Sequence, residues 1–145
     1  MKRSILGLMG LVLLVLGLCA PAAFAQDKQA VQLVLDIPWP FTVENTTLPA
    51  GKYEINQMRD IDWEWTIADA KGAVKVLFST EPAEMAKPPR SYEATFDVVG
   101  DHHFLVNLWL ASDTGGFYIP MTKSEKAAWK QGKAKAQEKV TLQKK

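Results

Sequence analysis

Trp63-Glu64-Trp65-Thr66-Ile67 alternates large apolar and polar side chains, Asp69-Ala70-Lys71-Gly72 follows it, and Val74 to Phe78 comes next. Successive Cβ atoms of a strand point to opposite faces, so a period of two marks a strand with one face in a core. A turn tetrapeptide ending in glycine between two such runs reads as a β-hairpin. Trp63, Trp65 and Ile67 on the first strand, and Val74, Val76 and Phe78 on the second, are expected to face that core. Glu64, Thr66, Lys75 and Ser79 are expected on the other side.

The same reading extends in both directions. Val31–Leu35, Phe41–Val43 and Tyr53–Asn56 are expected strands upstream. Pro38-Trp39-Pro40 interrupts the first of them, because proline cannot donate to a ladder. Leu48-Pro49-Ala50-Gly51 is a turn. Downstream, Glu81–Arg90 carries Pro82, Pro88 and Pro89 and reads as a loop. Tyr92–Val98, His103–Ala111 and Phe117–Ile119 read as strands, separated by turns at Gly100-Asp101-His102 and Asp113–Gly116. Short strands at regular spacing define the fold class as all-β, an antiparallel β-sandwich or small barrel of about seven to eight short strands with one C-terminal helix. Strand His103–Ala111 departs from the alternation. Phe104, Val106, Leu108 and Leu110 form its core side, yet Leu105, Asn107 and Trp109 make the opposite side apolar as well. Either the strand is buried on both faces, under the C-terminal helix with Trp129 docked there, or the sheet exposes an apolar patch.

That helix is expected to start at Thr122-Lys123-Ser124-Glu125, a capping box with Thr122 as N-cap. It is expected to run through the Ala-, Lys- and Gln-rich stretch Lys126–Lys139, docking through Trp129 and fraying after Gly132.

Of the 145 residues, 48% are apolar and 23% are charged, a globular composition. Residues 1–25 read as a secretory signal peptide: Lys2 and Arg3, then the uncharged run Ile5–Leu18, then Ala23-Phe24-Ala25 as the cleavage site. The apolar run is shorter than the ~20 residues that a membrane span requires. The expectation is an exported protein, periplasmic or extracellular, with no transmembrane span after signal removal. The single cysteine, Cys19, lies inside the signal, so the mature chain has no disulfide and no thiolate chemistry. Residues 26–122, the expected β-domain, hold 7 basic and 14 acidic residues, whereas 123–145 hold 8 lysines and only Glu125 and Glu138. An acidic body and a basic C-terminal helix or tail is a real asymmetry. The tail either meets an anionic envelope polymer or an envelope protein, through Trp129, Lys126, Lys130 and Lys133, or folds over its own acidic body. The acidic body lacks any nucleic-acid-binding motif, so nucleic acid is not an expected partner.

Ile37-Pro38-Trp39-Pro40-Phe41-Thr42-Val43, continuing to Leu48-Pro49-Ala50-Gly51-Lys52-Tyr53, resembles a group of small exported bacterial proteins with the pattern P-F-x-F-x-V-x-x-x-x-L-P-A-G-x-Y. The chain departs from that pattern by placing Pro40 before Phe41. The resemblance implies an export-linked all-β domain and no catalytic residues. Leu48–Ile55 is also similar to the L-x-x-G-x-Y-x-[VI] hairpin of prealbumin-like and carboxypeptidase-regulatory-like sandwiches. In those, the tyrosine packs in the core beside a turn glycine.

Catalytic motifs are missing from the sequence. It has no G-x-S-x-G elbow, phosphate loop or dinucleotide glycine motif. His102 and His103 are adjacent and so point to opposite faces of a strand, a poor arrangement for one metal. No cofactor and no metal site are expected. Asp60, Asp62 and Glu64 alternate as hydrated edge charges, with a weak likeness to a calcium ladder. Five tryptophans are the one excess, and exposed tryptophan beside amides and hydroxyls stacks on sugar rings. The leading reading is therefore an exported, non-enzymatic β-domain that binds or scaffolds at the cell envelope. The alternative is a carbohydrate- or small-ligand-binding module using Trp39, Trp109, Asn107 and Tyr118, and the third reading is a carboxylate-based hydrolase.

Overall fold

The computed structural model describes residues 30–131 and 135–145. The expected signal peptide, Cys19, Gly132 and Lys133 lie outside the described residues. Those described form eleven strands and one short helix. The strands are β1 (Gln32–Ile37), β2 (Phe41–Val43), β3 (Thr46–Leu48), β4 (Gly51–Gln57), β5 (Glu64–Asp69), β6 (Val74–Ser79), β7 (Glu81–Glu84), β8 (Tyr92–Val99), β9 (His102–Trp109), β10 (Gly115–Tyr118) and β11 (Lys135–Lys144), with α1 (Lys123–Lys130) before the last strand.

The chain is all-β, and its sheet is a nearly closed barrel. The strand order is β3-β2-β9-β8-β11-β1-β4-β5-β6, and β10 joins β9 to β7. Because β7 continues from β6 after Thr80, the path β6/β7–β10–β9 brings the sheet back on itself. Each of these pairings is antiparallel; β2 alone runs parallel to β9, at Thr42↔Phe104. A side chain strengthens the seam, since the backbone N–H of Ser79 donates to Glu44 Oε1 at 3.3 Å.

Three strands were not expected. β3 is too short to show a period. β7 contains Pro82, which is tolerated because its strand pairs on one side only, with β10. β11 corrects the longest helical expectation. The helix stops at Lys130, and Lys135–Lys144 runs as a strand between β1 and β8, with eight paired positions to β8 from Lys135↔Val99 to Leu142↔Tyr92. Helix propensity loses here to burial, as Leu142 is buried and Val140 packs against the core. The expected basic tail thus folds over the acidic body: Lys139 Nζ lies 3.3 Å from Glu93 Oε2, and Lys145 Nζ lies 2.8 Å from Glu54 Oε1.

One apolar cluster fills the barrel, including Leu33, Leu35, Ile37, Phe41, Tyr53, Ile55, Trp65, Ile67, Phe78, Phe96, Leu105 and Leu108. Phe41 meets Tyr53 and Phe96 edge-on at 5.5 and 5.8 Å. The Tyr53 hydroxyl donates to the Pro49 carbonyl at 2.8 Å, and burial pushes its pKa up. Two core expectations on the β5–β6 hairpin are corrected. Trp63 is 60% exposed and Val74 62% exposed. Trp63 precedes β5, so the alternation does not reach it. At Val74 the register slips: Ile67 pairs with Val76 and Ala68 with Val74, leaving Lys75 as the extra residue. The turn itself is tied by Asp69, whose Oδ1 accepts from the N–H of Lys71 and Ala73 at 2.9 and 3.0 Å. The Ala73 N–H and then the Lys75 ammonium, 3.1 Å from Oδ2, hold this carboxylate below its ordinary pKa.

A second bulge re-aims β9. Thr95 pairs with Asn107 and Phe96 with Leu105, so Val106 has no register partner on β8, while its carbonyl accepts from the Ile119 N–H at 2.8 Å. Before the bulge Leu105 points into the barrel and Phe104 and Val106 point out; after it Leu108 points in. The single face expected for Phe104, Val106 and Leu108 is therefore split. The outward pair joins Val99 in a small second cluster, onto which α1 lays Ala128 and Trp129. Of the two readings left open for this strand, burial on both faces under the helix is the one observed. Thr122 caps α1 as expected, its Oγ1 accepting from the Glu125 N–H at 3.3 Å.

Candidate functional site

The apolar cluster occupies the barrel interior, and the candidate sites among the described residues lie on its outer surface. The outer face of β9 and β10 gathers three of the four residues expected to contact a ligand. Tyr118 stands directly across from Asn107, and Gly116 directly across from Trp109. The indole of Trp109 occupies the space that a side chain on Gly116 would need: a Cβ there would lie 2.4 Å from Cε3. Glycine at this position lets the ring lie down on the sheet. Trp109 Nε1 then donates to Thr95 Oγ1 at 3.2 Å, and Asn107 Nδ2 donates to the Phe117 carbonyl at 3.5 Å. Trp109, Asn107 and Tyr118 are all half-buried, which leaves part of each presented to solvent.

Trp39 does not join them. Its ring stacks on His103 at 4.7 Å between centroids and meets Phe96 edge-on at 6.3 Å, packed against the core. His103 Nε2 is 3.6 Å from Glu138 Oε2. His102 points the other way and lies 6.2 Å from the Phe104 ring, so the two histidines occupy opposite faces. Of the residues expected to meet an envelope partner, Trp129 is turned down onto β8 and β9, whereas Lys126 and Lys130 stand exposed on α1.

Sequence reasoning missed a groove on the other side of α1. It holds about 390 Å³ and is lined by the β2–β3 hairpin, the start of β9 and the helix. Its visible signal was the spacing Ser124, Ala127, Ala128 and Gln131, one face of a helix. A second cleft of about 320 Å³ lies at the barrel end between Val31, Met58, Leu110 and Phe117. Among the described residues, no group of three or more His, Cys, Asp or Glu could hold a metal ion. Among them, too, no helix is long and apolar enough to cross a membrane.

Comparison of the chain with protein-family models, with curated proteins and with solved structures finds no match.

Proposed function

We propose that this chain is an exported, non-enzymatic β-barrel that binds carbohydrate of the cell envelope through the outer face of β9 and β10. The observation that carries this reading is the Trp109 indole lying across Gly116, with Asn107 and Tyr118 beside it on paired strands. A flat aromatic ring stacks on the apolar face of a sugar, and the amide and phenol next to it meet the hydroxyls at the ring's edge. Export rests on the sequence of residues 1–25.

A second reading places an anionic envelope polymer on α1. It draws on Lys123, Lys126 and Lys130, which are exposed and spaced as one helical ridge.

Retention of the mature chain on immobilised envelope polysaccharide tests the first reading, read beside quenching of tryptophan fluorescence. Trp109→Ala should abolish retention while leaving the far-ultraviolet circular dichroism unchanged. Retention that survives Trp109→Ala and is lost in Lys126→Gln/Lys130→Gln with rising salt would move the contact to the helix.

A further inference from the structure

We infer that the groove between α1 and the β2–β3 hairpin is a second saccharide site, specific for an uncharged sugar segment. This inference does not depend on the Trp109 surface, from which it differs in residues and in position on β9.

The lining is the argument. Thr42, Asn45 and Thr47 come from the hairpin, His102 and Phe104 from β9, and Ser124, Ala127, Ala128 and Gln131 from the helix and its C-cap. None of the nine is Asp, Glu, Lys or Arg. The exposed lysines of α1 occupy its other ridge, so the groove offers no fixed charge to an ionic ligand. Its wall is built instead of hydroxyls and carboxamides. The Thr42 and Thr47 hydroxyls bond each other at 2.9 Å, which leaves further lone pairs and orients the pair. The exposed side-chain amides of Asn45 and Gln131 join the lining from the hairpin and from the helix C-cap. β9 contributes the exposed His102 ring, 6.2 Å from the buried Phe104 ring onto which Ala128 and Trp129 pack.

A sugar ring has this same division, with hydroxyls around its edge and C–H groups on its face. An acidic or basic ligand would find no Asp, Glu, Lys or Arg counter-charge in this lining. A purely apolar ligand would strip water from six polar side chains, His102 included. The volume of about 390 Å³ falls within the ~300–1,000 Å³ typical of ligand sites. The helix wall is small by sequence, Ala127 and Ala128, and those alanines keep the groove open.

Nuclear magnetic resonance of the mature chain, titrated with cellotriose, mannotriose, chitotriose and the acidic trigalacturonate, tests the inference. The expected result is that an uncharged trisaccharide shifts the amides of Thr47, Asn45 and Gln131. Affinity, read from amides of the groove, should fall more than tenfold in Ala127→Trp and in Asn45→Ala/Gln131→Ala, and stay within twofold in Leu77→Lys, an exposed position outside both sites. Unchanged melting of Ala127→Trp shows that the fold has been kept. Shifts produced by trigalacturonate alone would overturn the ligand class. Shifts confined to the Trp109 surface, or no shifts at all from the uncharged sugars, would overturn the site. Failure at the groove with retention still lost in Trp109→Ala leaves the first surface standing, so the two readings fail separately.

Discussion

Gly116 and Asp69 show how single residues hold positions that their neighbours require. A methyl group on residue 116 would meet both the Trp109 ring and the Leu108 carbonyl oxygen, the latter at 2.7 Å. Gly116→Ala is expected to destabilise by about 1–3 kcal/mol, read as a lower urea midpoint, because backbone on one side and a packed ring on the other must both shift. Asp69 makes a prediction about pH. Its folded pKa is depressed, so its contribution is present above the unfolded value near about 4 and is lost as pH falls through the folded pKa. Thermal melts should therefore show the parent and Asp69→Asn diverging at neutral pH and converging in acid. A constant gap between the two down to pH 2 would contradict the assignment. At this scale the sequence was informative where the residue's neighbours were local. The Asp69 turn and the Thr122 cap were legible, whereas Trp63 and Val74 were not, because one strand boundary and one register slip decided their exposure.

β11 carries the main lesson at the scale of elements. Lys135-Ala136-Gln137-Glu138-Lys139 consists of good helix formers, and nothing within the segment argues against a helix. Its strand state comes from outside, from two open edges on β1 and β8 that need a partner. The period-two pair Val140 and Leu142 was the one local trace. Removing residues 132–145 is expected to abolish cooperative thermal unfolding, since it separates β1 from β8; a truncated chain with a sharp transition would refute the central place of β11. The helix is a different case. Thr122→Ala should cost about 1 kcal/mol, measurable in urea, with the barrel otherwise intact. The β9 bulge explains why the outer surface was only partly legible. Asn107 and Trp109 share a face by alternation alone, but Tyr118 joins them through the β9–β10 register, and the slip is what turns Leu105 away from that face into the barrel, which no single strand encodes.

For the whole molecule, one interior cluster spans nearly every strand, so stability is shared and not modular. Phe96→Ala, which removes a ring touching both Trp39 and Phe41, is expected to cost about 3–5 kcal/mol and to lower all spectroscopic transitions together. Leu77 is the contrasting position, 56% exposed on an outer face. Leu77→Lys should change stability by less than about 0.5 kcal/mol in the same denaturation assay. The fold class was legible because alternation is written locally in each strand. Closure into a barrel was not, because it depends on β6 passing through Thr80 into β7 and on β10 bridging back to β9.

Leu33 pairs with Lys144, so two adjacent staves come from opposite ends of the described chain. A polypeptide emerging in order from its source makes β1 first and must wait for β11 before that stave has both neighbours. Contacts so distant in sequence form slowly. Until they form, the earlier strands have apolar faces and unfilled edges, and the nascent chain remains threadable. On the proposed export, a transport channel that admits only extended chains would meet this one in the state it requires, with β11 closing the sheet last.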